Sequence, residues 1–384
     1  MITVTDEKRI YCPAIITPEG QICGEIVIRD NRIHAVESRP TAPRGAEDWS
    51  GDIVTPGLVD IHTDNLEKHY QPRPGALWDA YGAALAHDGQ CASAGITTVL
   101  DSLSLHGAKD GLDRRTALAP MIAAMDAAAA DDALRSEHFL HLRCEVTNPD
   151  LMDLVTPFSS HARLRLLSVM DHTPGQRQVR DLARLERELA DEGLDANEIA
   201  SILSGRHDGR DPAAAVRNRR AVVDLAQTLQ VPLAAHDDAT IEHVDEAAAD
   251  GCTISEFPVT LVSARRANAL GMGICMGGPN LVRGGSHSGN LSARDCAEEG
   301  LLDIVASDYV PLSMLRSAFL LMEILKWSPE RAIATVSVNP ARSVGLLDRG
   351  EIAPGQRADL VRVARGTAGW PSPREVWRAG VRVA

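Results

Sequence analysis

His62 and Asp64 close a short apolar run, Leu58-Val-Asp-Ile-His-Thr-Asp64, and stand two residues apart. Both side chain types bind metals. On a strand alternate residues share a face, so the pair is expected to point one way while Ile61 and Thr63 point the other. That makes half of a metal cradle. The same order of apolar run, ligand and loop recurs four more times, ending at Glu145, His172, His236 and Asp308. One His or Asp at a strand end is ordinarily a cap or a hydrogen-bonded core residue. Five such endings in one chain point to a shared site. Three imidazoles and three carboxylates form a nitrogen and oxygen set suited first to Zn²⁺, with Mn²⁺ or Fe²⁺ also accepted. One or two ions would fit, and Glu145 could bridge a pair.

For these residues to meet, the elements that carry them must converge. Strand-like runs at Leu58–His62, Ile96–Leu100, Phe139–Glu145, Leu164–Asp171, Val231–His236, Cys252–Phe257, Gly273–Gly277 and Asp303–Ser307 alternate with helical stretches. Ala and Leu mark the helices best at Thr116–Asp131 and Asn218–Gln230. This alternation predicts a (β/α)8 barrel of the TIM type, in which the C-terminal strand ends share one mouth. Short β segments at both termini, including an Asp30-Asn31 turn, predict one small discontinuous β-sandwich domain from residues 1–54 and 349–384. The barrel would then occupy 55–348, with a charged helical insertion at about 177–216.

Composition narrows the partners. A net charge of −14 over 384 residues argues against nucleic acid, which demands a basic stripe. It leaves room for an anionic small molecule held by a locally positive cleft. No apolar run reaches membrane-spanning length and the N-terminus lacks the pattern of a secretory signal, so the expected setting is cytoplasmic, without a membrane partner. Seven scattered cysteines with no Cys-x-x-Cys pair are read as reduced thiols. His87, His106, His138 and His141 complete no better ligand set and are read as structural.

The segment Arg283-Gly-Gly-Ser-His-Ser-Gly289 gathers a guanidinium, two hydroxyls, an imidazole and three glycines after the seventh strand. Glycine lets backbone N–H groups approach an anion, and Arg grips phosphate oxygens in pairs. Barrels often bind phosphate at this place. Arg283, Ser286 and His287 are therefore candidate phosphate contacts, and Lys68 and Arg73, flanking His69, add local positive charge.

The entry Pro56-Gly-Leu-Val-Asp-Ile-His62, Asp308 on the eighth strand, Asn339-Pro-Ala-Arg342 and Gly350-Glu-Ile-Ala-Pro-Gly-Gln-Arg-Ala-Asp-Leu-Val361 together resemble the amidohydrolase superfamily over residues 50–363. The chain departs from that pattern at Asp64, where most members have a second His. It also has Glu145 in place of a frequent bridging lysine, and Glu256 where a sixth-strand His is usual. His62-Thr-Asp-Asn-Leu-Glu-Lys-His69 with Pro72-Arg-Pro74, Gly278–Gly289 and Ala306-Ser-Asp-Tyr-Val-Pro311 narrow the resemblance to the α-D-ribose 1-methylphosphonate 5-triphosphate diphosphatases of phosphonate breakdown.

That resemblance implies metal-assisted attack of water on the α-phosphorus, with release of pyrophosphate. Asp308 would accept the proton, and Arg283, His287 and Lys68 would neutralise growing charge. Tyr309 and His69 would orient the substrate. Two other readings stay open: a C–N hydrolase such as a deacetylase or cyclic amidase, and a catalytically silent scaffold. A homo-oligomer or a multi-enzyme phosphonate complex is compatible with the chain.

Overall fold

The computed structural model describes residues 7–384 except 107, 110–111, 176, 178–180, 192, 204–210, 287–288 and 367–368. Eight parallel strands form the central sheet: Leu58–Thr63, Ile96–Ser104, Glu137–Glu145, Leu164–Met170, Leu233–His236, Ile254–Glu256, Gly273–Gly277 and Ile304–Ala306. They pair in sequence order, and the eighth returns to the first through a Thr63–Asp308 bridge. Asp308 N donates to His62 O at 2.9 Å, and Asp64 N donates to Asp308 O at 2.8 Å. The result is the expected (β/α)8 architecture.

Alternation along each strand sorts its residues into two layers. Leu100, Phe139, Leu166, Ala234, Ile254 and Ile304 pack together inside the barrel. Val99, Leu140, Leu142, Leu167 and Leu233 belong to a second cluster with the surrounding helices. The first strand breaks strict alternation: its register shifts between Asp60 and Thr63, and Ile61 packs into the interior apolar cluster beside the strand-end His62. Helices Leu182–Asp191 and Ala196–Leu203 lie between the fourth and fifth strands, where the charged insertion was expected.

The terminal segments build one eight-stranded, mostly antiparallel sheet. Asp30 and Asn31, at φ 49° and 65°, form the tight turn between Gly20–Arg29 and Arg32–Ser38. Ile33 and Trp377, from distant strands of this sheet, share a core with Trp49, so the sheet folds over itself. Gly57 and Gly350 sit where no side chain fits. A Cβ on Gly57 would fall 2.3 Å from Thr97 Oγ1, and one on Gly350, at φ +91°, 2.7 Å from Val338 Cα. Arg357 of the closing motif joins the units, since it and Arg349 each donate to Thr98 Oγ1 at 3.1 Å and pair with Glu137.

A polar chain is buried between the barrel and helix Ala80–Ser93. His87 Nε2 lies 2.7 Å from Asp101, which lies 3.0 Å from His138 Nδ1, and His138 Nε2 lies 3.3 Å from Asp88. Burial opposes a charge on His138, but Asp101 and Asp88 outweigh it and raise its pKa to about 9. Stability from this proton is complete below the unfolded value of about 6.5 and is lost as pH rises through the folded value. Thermal unfolding should therefore show a drop in melting temperature between pH 6.5 and 9.5, and the drop should be smaller in His138→Gln. Equal drops in the two proteins would sever the network from the pH dependence.

Candidate active site

Strand periodicity brings the polar residues to the mouth. His141, Arg143 and Glu145 alternate along the third strand and rise above interior Phe139. His141 is fixed by Ser102 Oγ at 3.0 Å, Ser168 Oγ at 2.9 Å and Ile61 O at 3.0 Å. Burial pushes its pKa down to about 3, so it is neutral. His62 Nδ1 lies 3.0 Å from Glu256 Oε1, and its Nε2 3.6 Å from Asp64 Oδ1. Burial disfavours its charge, yet Glu256 prevails and raises its pKa to about 9. Arg143 Nη1 sits 2.5 Å from Asp64 Oδ1. Despite burial, this guanidinium holds the Asp64 carboxyl well below the usual range. Burial and then Asp64 push Asp308 up to about 6.

The six expected ligands gather at this mouth in overlapping groups. His62, Asp64 and Asp308 form one, in which ligand atoms lie within 4.8 Å of each other. His172 joins Glu145 and His106 in a second, and His236 and Asp237 in a third. His172 Nδ1 is 2.9 Å from Glu145 and His106 Nε2 is 3.1 Å from it. His236 Nδ1 is 2.6 Å from Asp237. Residues one or two positions past three strand ends, Asp237, Phe257 and Asp308, have φ of 60°, 53° and 55°. Such backbone costs energy and persists only where its surroundings enforce it.

Lys68, Arg73, Arg283, Ser286 and Tyr309 line the cavities above these groups. Lys68 Nζ stands 4.9 Å from the centre of the Tyr309 ring. Arg283 ends the helix Gly278–Arg283, which Gly284 terminates at φ +82°. His287 lies outside the described residues. His69 requires a correction, because it does not reach the site. It lies on the helix Asn65–Tyr70, one step of about 100° past Lys68. That rotation turns it onto Gln90 Oε1 at 2.9 Å. His106 and His141, read as structural from sequence, are beside the ligand groups. Arg143, Asp237 and Arg114 were not singled out by the sequence, although Arg143 shares a strand face with Glu145.

The family model for amidohydrolases matches residues 211–383. An α-D-ribose 1-methylphosphonate 5-triphosphate diphosphatase of Escherichia coli K12 is 38% identical over 370 residues, covering 94% of this chain and 96% of that protein. The chain belongs to the amidohydrolase family. Among solved structures, N-acetyl-D-glucosamine-6-phosphate deacetylase of Mycobacterium smegmatis matches with a TM-score of 0.64 at 15% identity, over 98% of this chain and all of that one. The 5-methylcytosine deaminase of Klebsiella pneumoniae also matches at 0.64 and 15%, over 98% of each chain. These two likenesses concern the fold.

Metal dependence is general in this superfamily, and the donors suit a cation. Buried His236 Nε2 has no hydrogen-bond partner among the described residues. Carboxylates at Asp64, Glu145 and Asp237 stay ionised despite burial, held by neighbouring Arg or His groups. A field that favours protons on buried imidazoles also favours a divalent ion. Elemental analysis of purified protein should find one to two transition-metal ions per chain, and His236→Ala should lower that content. Metal-free protein with full activity would refute a metal centre.

Proposed function

We propose that this chain hydrolyses α-D-ribose 1-methylphosphonate 5-triphosphate, or a close 1-phosphonate analogue, to the 5-phosphate and pyrophosphate in phosphonate breakdown. One observation carries the reading beyond the family: Lys68, Arg73 and Arg283 line the mouth, and none is in a close ion pair with a carboxylate among the described residues, Lys68 acting on Asp64 and Asp308 only from a distance. In a chain of net charge −14, cations left unpaired around a ligand cluster suit a polyanionic substrate. The 38% identity to a diphosphatase supports the same chemistry.

His62, Asp64, Glu145, His172, His236 and Asp308 would hold one or two divalent ions, zinc first among zinc, manganese and iron. Such ions polarise phosphoryl oxygens and acidify water. Asp308, with its pKa raised to about 6, would take the proton of the attacking water near neutral pH. Lys68, Arg283, Arg73 and Ser286 would hold phosphoryl and sugar oxygens, with Tyr309 orienting the substrate beside Lys68. Seven free thiols fit a reducing, cytoplasmic setting.

The C–N hydrolase alternative uses the same cluster but has no need of three unpaired cations. Phosphorus chemistry and C–N chemistry give different products. Turnover in ¹⁸O-labelled water should release pyrophosphate in one step and place the label in the sugar phosphate. Label in pyrophosphate would mean attack at the β-phosphorus, and release of ammonia or acetate from an amide panel without pyrophosphate would replace this reading. Asp308→Asn should lower kcat by about a hundredfold or more, within the range of general-base losses.

A further inference from the structure

The mouth contains two cavities, of about 430 and 420 Å³, whose walls share Asp64, Lys68 and Arg143. The first continues toward Arg283, Asn280, Phe257 and Tyr309, and the second toward Arg73, Arg114 and His106. Asp308 lines only the first. The lobes also differ in charge. Beyond the shared residues, Arg73 and Arg114 outnumber Glu67 in the second, while Asp237 and Asp308 outnumber Arg283 in the first.

We propose that these lobes divide the substrate, with the departing pyrophosphate in the Arg73–Arg114 lobe and the ribosyl phosphonate in the Arg283 lobe. The assignment rests on the diphosphatase reading and adds a direction to it. Phosphoryl displacement is in line, so water and leaving group stand on opposite sides of the α-phosphorus. Water oxygen bonds to that phosphorus as the bond to the α–β bridging oxygen breaks. The water proton passes to Asp308, and the electron pair stays on pyrophosphate. With the base in the first lobe, pyrophosphate leaves into the second.

Unfilled donors agree with this direction. Arg114 Nη1 and Arg143 Nε are buried without hydrogen-bond partners among the described residues, although Arg114 also grips Glu67 at 2.7 Å. Arg143 borders both lobes, but Arg114 belongs to the second alone, and its free donor suits the oxygen-rich, more highly charged end. The first lobe offers Phe257, Val259 and Leu291 for a sugar face and a methyl group, and one unpaired guanidinium for a singly charged phosphonate. This reverses the expectation from the glycine-rich loop, in which Arg283 grips the triphosphate.

Arg73 and Arg283 are exposed and lack ion-pair partners among the described residues, so their substitution should spare the fold. Calorimetric binding of inorganic pyrophosphate to metal-loaded enzyme, with metal content checked, reads the second lobe without turnover. The ratio of kcat/KM for ribose 5-triphosphate with and without its 1-methylphosphonate reads the first. Arg73→Gln should weaken pyrophosphate about ten- to hundredfold, the range for a charge-assisted contact, and preserve the ratio. Arg283→Gln should preserve pyrophosphate binding and shrink the ratio about tenfold or more. Exchanged effects, or both effects in one variant, would overturn the division. Selective pyrophosphate binding without release of pyrophosphate from any triphosphate would instead sink the diphosphatase reading, and the division with it.

Discussion

The site depends on how the barrel closes. Asp308 accepts from Asp64 N and donates to His62 O, so the seam between first and eighth strands is made by the residues that carry the candidate chemistry. At φ 55° Asp308 adopts a backbone that an L-residue holds only when its neighbours insist. The two seam bonds provide that constraint. Loosening the seam would move His62, Asp64 and Asp308 together, whereas the candidate ligands carried by the third, fourth and fifth strands would keep their support. Closure and assembly of the first ligand group are therefore one event.

Above the apolar interior, charge is arranged so that few buried groups lack an opposite neighbour. Glu256 faces His62 and His141, Glu145 faces His106 and His172, and Asp237 faces His172 and His236. Arg143 is the cation at the centre, paired with Asp64 and common to both lobes of the mouth. Desolvating an ion costs several kcal/mol, so removing either member of the Arg143–Asp64 pair would leave a poorly compensated charge. Arg143 also lowers the tendency of His62 to take a proton, opposing Glu256. One guanidinium thus links the candidate ligand groups to both cavities of the mouth.

The barrel was legible because candidate strand-end ligands and apolar runs recur with the right spacing, and this same recurrence brought out the six residues that gather at the mouth. What escaped has local causes. The second strand continues to Ser104, four residues beyond its expected end, and so delivers His106 to Glu145. Attention to strand ends hid Arg143, although alternation from Glu145 reaches it directly. The register shift after Asp60 could not be read from alternation, since it allows Ile61 and His62 to serve the barrel interior in succession. His69 looked like a substrate-orienting residue in a strand-and-loop reading. A six-residue helix after Asp64 reverses that inference.

The same fold in the deacetylase and the deaminase shows that closure and strand order do not select a substrate. Selection has to come from the segments beyond the strands, and here those after the first and seventh strands bring the cations Lys68, Arg73 and Arg283. The insertion helix adds a further contact: a Cβ on Gly289, at φ +74°, would lie 3.0 Å from Arg184 Nη1. Glycine at this place satisfies both the backbone and the approach of the arginine. Because these cations lie beyond the strand ends, on two short helices and a loop, their spacing can change without disturbing the strands that carry the candidate ligands. A barrel that gathers His and carboxylate groups on its rigid strand ends can therefore acquire a polyanionic substrate by rearranging arginines and lysines alone. The acidic balance of the rest of the chain makes those few positive positions the place where such a substrate would concentrate.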